Sequence, residues 1–166
     1  FGIFESTIPD RSIYMATLGK AAGVMGAFVS GSSDLIEFLI QKSRPYIYTT
    51  AISPSMCVAT LKSLELIKQG EQKEQLFSNI NYFKDCAETL DLNFEPSESA
   101  IQPLIIGSSN KALSLSNKLF EGGYFVSAIR PPTVPPNTAR MRFTLSANHS
   151  FSQIESLLNK VKAVMA

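Results

Sequence analysis

The sequence predicts a mixed α/β protein whose later half is an α+β domain with a small antiparallel sheet. Residues 13–17 and 26–30 are short, mostly apolar runs with the length and composition of buried strands. After residue 70 the patterns follow the order helix, strand, helix, strand, strand, helix, which is typical of an α+β domain. We therefore expect a fragment of a sheet with helices in the earlier half, too short to be a complete doubly wound domain, followed by a small α+β domain.

A helix is expected after the second strand. Asp34 is the predicted N-cap, with Glu37 three residues later completing a capping box. The Arg44-Pro45 step should end this helix, because the residue before a proline is disfavoured in the helical conformation. Residues 46–50 are then predicted to form a third strand or an extended segment.

Two long helices are expected next. The first begins at Pro54 and ends before Gly70, and the second covers about residues 71–90. Each carries apolar side chains at helical spacing. These side chains are Val58, Leu61, Leu64 and Ile67 in the first helix, and Leu76, Ile80, Phe83 and Ala87 in the second.

The later elements are shorter. Residues 101–106 are predicted as a strand, and Pro103 indicates a sheet edge, because proline cannot donate a ladder hydrogen bond. A helix is expected over 111–120 and a strand over 124–129.

The last part combines a stiff loop, a strand and a helix. Residues 130–137 contain four prolines and cannot be helical. Residues 139–145 alternate arginine with apolar side chains, as expected for a strand with one wet face. Ser150 and Gln153 form a capping box for a helix that begins at Phe151.

Composition excludes several classes of function. The chain has 166 residues, 45% hydrophobic and 17% charged, with a net charge of +1. This balance gives no electrostatic reason to expect nucleic-acid or anionic-membrane binding. Cys57 and Cys86 lie among apolar neighbours and are predicted to be buried free thiols, compatible with the reducing cytoplasm. One histidine and two separated cysteines offer no cluster of metal ligands.

One lysine has an unusual setting. Lys20 lies between Gly19 and Gly23, directly after a predicted buried strand. Small residues let another molecule approach the backbone. A partly desolvated amine is more readily neutral, and the neutral amine is the nucleophile in Schiff-base chemistry. A surface lysine in a glycine-rich turn is the plain alternative. A phosphate loop is excluded, since Ala21 replaces the required serine or threonine.

Three ordered segments carry a resemblance to a known family. They are Thr-Leu-Gly-Lys-Ala-Ala-Gly-Val-Met-Gly-Ala at 17–27, Tyr-Ile-Tyr-Thr-Thr-Ala-Ile-Ser-Pro at 46–54, and the Arg-Pro-Pro-Thr-Val-Pro and Arg-Met-Arg-Phe-Thr-Leu segment over 130–149. Together they resemble the α-oxoamine synthases, pyridoxal-phosphate enzymes of the aspartate-aminotransferase fold (fold type I). The Pro-Pro-Thr-Val-Pro form is most like the branch that condenses L-alanine with a pimeloyl thioester.

The resemblance implies roles in cofactor binding. Lys20 would form the Schiff base with pyridoxal 5'-phosphate, and Thr17 would bind the cofactor phosphate. Thr49 and Thr50 lie in the segment that reaches the phosphate of a neighbouring subunit, which implies a homodimer with a shared active site. Adjacent strand residues point to opposite faces, so we expect only one of the two threonines to contact phosphate. The sequence does not choose between them.

The resemblance also implies roles in substrate binding. Arg142 would hold the amino-acid carboxylate, since a guanidinium grips a carboxylate through two parallel hydrogen bonds. Arg140 is expected to support it or to remain a surface charge. Thr133, fixed in the proline-rich loop, would contact the acyl thioester. His149 is expected to help start the last helix rather than to act in catalysis.

The implied reaction is the decarboxylative condensation of L-alanine with pimeloyl-CoA or pimeloyl-ACP, as in biotin biosynthesis. A related enzyme using glycine or serine and a non-catalytic, partner-binding fragment are the alternatives. The chain begins at Phe1 without methionine, and a preceding Asp-x-x-His segment of the family is absent. We therefore expect a piece of a longer polypeptide, with residues 1–70 ending the large cofactor domain and residues 71–166 forming the small domain.

Overall fold

The computed structural model describes residues 11–165. Residues 1–10, whose turn-forming residues predict a loop, lie outside this range. The chain divides into two compact units, Phe1–Gln69 and Gly70–Ala166. Below they are called the N-terminal unit and the C-terminal unit.

The N-terminal unit contains one hairpin and three helices. Strands β1 (Tyr14–Thr17) and β2 (Ala27–Ser30) pair antiparallel, with Thr17 opposite Ala27. They are followed by α1 (Ser33–Lys42), α2 (Arg44–Ile47) and α3 (Pro54–Gln69). The expected burial of the two strands is wrong. Met15 is 62% exposed and Phe28 42%, because no second layer covers this hairpin within residues 11–69.

Two local predictions in the N-terminal unit are also wrong. The N-cap of α1 is Ser32, whose Oγ accepts the backbone N–H of Leu35 at 3.3 Å, whereas Asp34 lies in the first turn. There its charge complements the helix dipole. The strand expected after Pro45 is replaced by α2, since proline is preset for the first turn of a helix and starts this one.

Helix α3 has the predicted bounds, but a different face is covered. Val58 and Leu61 of the predicted apolar stripe are 66% and 64% exposed. The half-buried residues of this helix are Met56, Thr60, Ser63 and Ile67, so Ile67 is the one member of the predicted stripe that lies on the covered face. Cys57, predicted to be buried, lies outside this face and is exposed.

The C-terminal unit is a layer of helices on a three-stranded antiparallel sheet, as predicted. It contains α4 (Glu71–Thr89), β3 (Ile101–Gly107), α5 (Ser109–Glu121), β4 (Ser127–Ile129), β5 (Ala139–Thr144) and α6 (Phe151–Met165). The strand order is β3-β5-β4, which confirms β3 as an edge strand. Helix α6 packs against α4 and α5, and α5 packs on the sheet.

A single core fills the space between helices and sheet. Strand β5 turns Ala139, Met141 and Phe143 inward, and the ring of Phe143 lies 6.1 Å from that of Phe83 on α4. Ile80, Phe83 and Ala87 of α4 are buried, which confirms most of the predicted stripe. Cys86, on the next face, is half-buried, and its thiol beside the Tyr82 hydroxyl raises the pKa of that phenol.

Strand β4 is shorter than predicted. The backbone of residues 124–126, just before β4, forms hydrogen bonds with α5 instead of with a neighbouring strand. Gly123 has φ of 89°, and the N–H of Tyr124 donates to the carbonyl of Leu119. Ser116 Oγ then donates to the carbonyl of Val126 at 2.7 Å. The ladder therefore begins only at Ser127.

Candidate functional site

The lysine turn, residues 18–26, connects β1 to β2 and is closed by backbone hydrogen bonds. The N–H of Leu18 donates to the carbonyl of Gly26 at 2.8 Å, and the N–H of Val24 donates to the carbonyl of Leu18 at 3.1 Å. Inside this loop, Gly23 N–H donates to the carbonyl of Lys20 at 2.9 Å. The backbone of Lys20 is thus held in a tight turn while its side chain is exposed.

Two glycines make this turn possible. Gly23 has φ of 64° and Gly26 has φ of 130°, conformations that residues with a side chain rarely adopt. A Cβ at Gly26 would lie 3.5 Å from Leu18 Cδ1 and 3.7 Å from Ile52 Cδ1, so the base of the turn is packed. A Cβ at Gly23 would meet no atom within 4 Å. The turn is therefore packed at its base and open beside Lys20.

Three threonines of the N-terminal unit are candidates for binding a cofactor phosphate, namely Thr17 and one of Thr49 and Thr50. Thr17 is exposed at the end of β1, directly before the lysine turn. Thr49 and Thr50 are exposed in the irregular segment after α2. That segment is not a strand, so the rule that adjacent strand residues point to opposite faces does not apply to it. Both threonines therefore stay candidates for binding a phosphate.

A contact between α3 and the lysine turn is not indicated by any sequence pattern. Ser63 Oγ donates to the carbonyl of Ala22 at 2.6 Å, across 41 positions of the chain. Ser63 is half-buried on a helix that has no buried residue. It is the one side chain of α3 that hydrogen-bonds to the turn among the described residues.

The two arginines of β5 differ in their surroundings. Arg140 is half-buried and its Nε donates to the carbonyl of Thr138 at 3.1 Å. Arg142 is exposed, opposite Pro103 of β3 and Ser127 of β4. Within residues 11–165 the ion pairs are Lys62–Glu65 and Lys84–Glu98, so neither arginine is paired with a carboxylate there. Arg142 is accordingly the arginine better placed to receive a carboxylate from solvent.

Thr133 lies in the loop between β4 and β5. Its N–H donates to the carbonyl of Arg130 at 3.0 Å, and its side chain is exposed. The far end of the loop is closed by Thr138, which donates from both its N–H and its hydroxyl to the carbonyl of Pro135. Loop and strand thus present Thr133 and Arg142 on the same unit.

His149 has a structural environment, as predicted. Its Nδ1 accepts the N–H of Ser146 at 3.2 Å, just before the capping box of α6, where Ser150 N–H donates to Gln153 Oε1 at 2.9 Å. Asn79, which the sequence analysis did not single out, is fully buried on α4. Its Nδ2 donates to the carbonyls of Ser146 and His149, each at 2.9 Å.

The predicted site residues therefore form two groups. Lys20, Thr17, Thr49 and Thr50 belong to the N-terminal unit, and Thr133 and Arg142 belong to the C-terminal unit. The first group offers a primary amine and hydroxyls, and the second a guanidinium and a hydroxyl.

In the part of the chain that the structure describes, no group of His, Cys, Asp and Glu could hold a metal ion. No helix there is long and apolar enough to cross a membrane.

Comparison with known proteins gives a consistent result. The family described as "Aminotransferase class I and II" matches residues 4–161. The 8-amino-7-oxononanoate synthase of Saccharophagus degradans is 49% identical over 96% of this chain, and that of Pseudomonas putida GB-1 is 50% identical over 94%. The chain spans about 40% of the length of these relatives.

Solved structures show the same relationship. The 8-amino-7-oxononanoate synthase of Francisella tularensis superposes with a TM-score of 0.79 at 34% identity, over 92% of this chain and 45% of that one. Serine palmitoyltransferase of Sphingomonas wittichii gives 0.81 at 27% identity, over 91% of this chain and 39% of that one. The fold is thus that of the α-oxoamine synthases, as the motifs predicted, and the chain belongs to the aminotransferase class I and II family.

Proposed function

We propose that this chain is the catalytic C-terminal part of a pyridoxal-phosphate-dependent acyltransferase of the 8-amino-7-oxononanoate synthase type. The proposed reaction condenses L-alanine with pimeloyl-CoA or pimeloyl-ACP, with loss of carbon dioxide, and belongs to biotin biosynthesis. The observation that carries the proposal is Lys20 itself. It lies exposed in a closed glycine turn, in a chain about half identical to synthases of this name.

The residues present fit the proposed cofactor. A primary amine suits the aldehyde of pyridoxal 5'-phosphate, and the hydroxyls of Thr17, Thr49 and Thr50 suit its phosphate. Gly23 has no neighbouring atom within 4 Å of a Cβ position, so the turn is not crowded there. When bound, this cofactor withdraws electrons from the α-carbon of an amino acid, which makes its proton and carboxylate easier to lose.

Each side chain has a distinct task in this proposal. Lys20 Nζ would hold the cofactor, and its amine would accept the proton of the substrate α-carbon. Arg142 orients the amino acid by holding its carboxylate through two parallel hydrogen bonds. Thr133 contacts the acyl thioester. Arg140 already donates a hydrogen bond from its Nε to the Thr138 carbonyl, so we assign it a supporting role in the strand.

One rival activity has support from the comparisons. An α-oxoamine synthase that uses glycine or serine is suggested by the similarity to serine palmitoyltransferase. Its identity of 27% is far below the 49–50% of the 8-amino-7-oxononanoate synthases, which favours L-alanine and a pimeloyl thioester. A non-catalytic fragment is disfavoured, because Lys20, Thr17 and Arg142 are all present.

Two protein partners follow from the proposal. One is the N-terminal remainder of the same polypeptide, and the other is a second copy, whose cofactor phosphate Thr49 or Thr50 would reach. Exposed apolar side chains in residues 11–69 support partners of this kind, since such surface is normally buried. The cytoplasm is the proposed location, because the exposed thiol of Cys57 persists in a reducing compartment.

The test uses Lys20→Ala in the whole protein, with Lys111→Ala in the C-terminal unit as the matched control. Lys20→Ala should lose the visible absorbance of the lysine-bound cofactor and repeated turnover of L-alanine with pimeloyl-CoA, and the control should keep both. Retention of both by Lys20→Ala would refute the assignment. A preference of the wild-type protein for glycine or serine over L-alanine would favour the rival activity.

A further inference from the structure

Helix α3 contacts the lysine turn through a single serine hydroxyl. A serine inside a helix usually donates to the carbonyl four residues earlier. Thr60, on the same helix face, does this by donating to the carbonyl of Met56 at 2.8 Å. Ser63 instead donates to the carbonyl of Ala22 at 2.6 Å. The donor of Ser63 is therefore used for a long-range contact.

The acceptor lies next to the reactive lysine. Ala22 is two residues after Lys20 and directly before Gly23, whose N–H closes the turn onto the carbonyl of Lys20. The space beside Gly23 is open, so packing does not hold this part of the turn among the described residues. Ser63 thus adds a side-chain hydrogen bond to a part of the turn that is otherwise held by backbone hydrogen bonds.

The base of the turn is held differently. A Cβ at Gly26 would contact Leu18 and Ile52, which shows that the base is packed by apolar side chains. Without Ser63, the tip of the turn would be held by its backbone hydrogen bonds alone, which would let the direction of the lysine side chain vary more widely. The hydroxyl on α3 removes this freedom at low cost, because a helix is a rigid support.

We propose that Ser63 is a positioning residue for Lys20: its hydroxyl holds the Ala22 carbonyl and so fixes the direction in which the lysine amine leaves the turn. The inference rests on the proposed function, since it assumes that Lys20 Nζ reacts with the cofactor aldehyde. That reaction forms a carbon–nitrogen double bond and releases one water molecule. Ser63 touches neither cofactor nor substrate and acts through the backbone alone.

The test compares Ser63→Ala with Ser116→Ala in the whole protein. Ser116 is a suitable control because it is also a helix serine that donates to a distant carbonyl, that of Val126 at 2.7 Å, in the C-terminal unit. The first readout is hydrogen exchange of the Gly23 and Val24 amides in cofactor-free protein. Loss of one hydrogen bond should speed their exchange by about tenfold in Ser63→Ala. Ser116→Ala should leave it unchanged.

The second readout is the rate at which added pyridoxal phosphate becomes attached to Lys20, trapped by borohydride and located by peptide mass. Ser63→Ala should slow this capture by about tenfold and lower kcat. The KM for L-alanine should stay within about twofold, because the substrate carboxylate is bound elsewhere. Equal exchange and equal capture in Ser63→Ala and wild type would overturn the proposal.

The outcomes separate this inference from the proposed function. Faster exchange without any adduct at Lys20 in the wild-type protein would refute the function while leaving the mechanical role of Ser63 intact. An adduct at Lys20 with unchanged exchange and capture in Ser63→Ala would refute only the role of Ser63. If Ser63→Ala does not fold, Ser63→Cys replaces it, because a thiol of similar size is a weak donor and should give the same two changes.

Discussion

The two units of this chain differ in how they bury their side chains. The C-terminal unit has sixteen buried apolar residues, drawn from three helices, from strands β3 and β5 and from the segments between the elements. The N-terminal unit has none among residues 11–69, although its helices and hairpin are well formed. The helices and the hairpin of residues 11–69 therefore follow local sequence patterns such as caps and turns. No buried apolar core connects them.

The difference bears on where the chemistry lies. The proposed cofactor lysine belongs to the unit without buried residues, and the proposed carboxylate-binding arginine belongs to the unit with a core. Burial of apolar surface is the main favourable term in folding. We infer that the N-terminal unit needs the rest of the protein to complete its structure, whereas the C-terminal unit carries its own stability.

The largest expected effect concerns cofactor binding by the 166 residues alone. Because the N-terminal unit buries no side chain within residues 11–69, the isolated chain should retain pyridoxal phosphate weakly or not at all. The whole protein should retain it at one per chain. Gel filtration followed by visible absorbance compares the two. Tight, stoichiometric retention by the isolated chain would show that the N-terminal unit is complete as it stands.

The next effect concerns stability. Phe83 is fully buried, with its ring 4.9 Å from that of Phe94, so Phe83→Ala should lower the free energy of unfolding by about 3–5 kcal/mol. Leu61, which is 64% exposed in α3, is the contrasting position. Leu61→Ala should change the free energy of unfolding of the isolated chain by less than about 0.5 kcal/mol. Urea denaturation of the isolated chain measures both, and equal losses would remove the contrast between the units.

A smaller effect concerns substrate binding by the C-terminal unit. In the whole protein, Arg142→Ala should raise the dissociation constant of L-alanine by roughly tenfold or more, because a charge-assisted bidentate contact contributes about 1.5–3 kcal/mol. Arg142→Lys should remain impaired, since lysine keeps the charge without the fork. The absorbance of the bound cofactor should stay normal in both variants.

Arg140→Ala is the matched control for this titration. Its effect on L-alanine binding should be milder, because the Arg140 Nε is engaged by the Thr138 carbonyl. Unchanged affinity in Arg142→Ala, or a larger loss in Arg140→Ala, would mean that the other arginine binds the carboxylate or that the substrate class is different.

The smallest effect compares two helix caps. Ser150 caps α6, which has three buried residues, and Ser150→Ala should destabilise the isolated chain by about 1 kcal/mol. Ser32 caps α1, which has no buried residue. Ser32→Ala should reduce helix content slightly without moving the main unfolding transition. Circular dichroism during urea denaturation distinguishes the two variants. A shift of the main unfolding transition by Ser32→Ala would contradict the inference that the core of the C-terminal unit alone sets that transition.

Sequence patterns predicted the C-terminal unit well because its local signals agree with its packing. The alternation along β5 and the stripe of α4 match their buried faces, and the Ser150–Gln153 capping box forms as expected. Helix α2 was missed, since a proline that ends one helix can also start another.

The N-terminal unit was predicted less well. The apolar stripe of α3 misled because an apolar pattern does not tell whether a partner surface is present. The hydrogen bond from Ser63 to Ala22 spans 41 positions and has no local pattern at all. Lys20 is a candidate because of its motif, since its exposed turn carries no packing signal.

The central claim is that Lys20 carries the cofactor. The direct measurement is borohydride reduction of the whole protein loaded with pyridoxal phosphate, followed by digestion and mass mapping of the modified peptide. The account predicts one pyridoxyl group per chain, on Lys20. Modification of a different lysine, or none under conditions where the enzyme turns over L-alanine and pimeloyl-CoA, would contradict it.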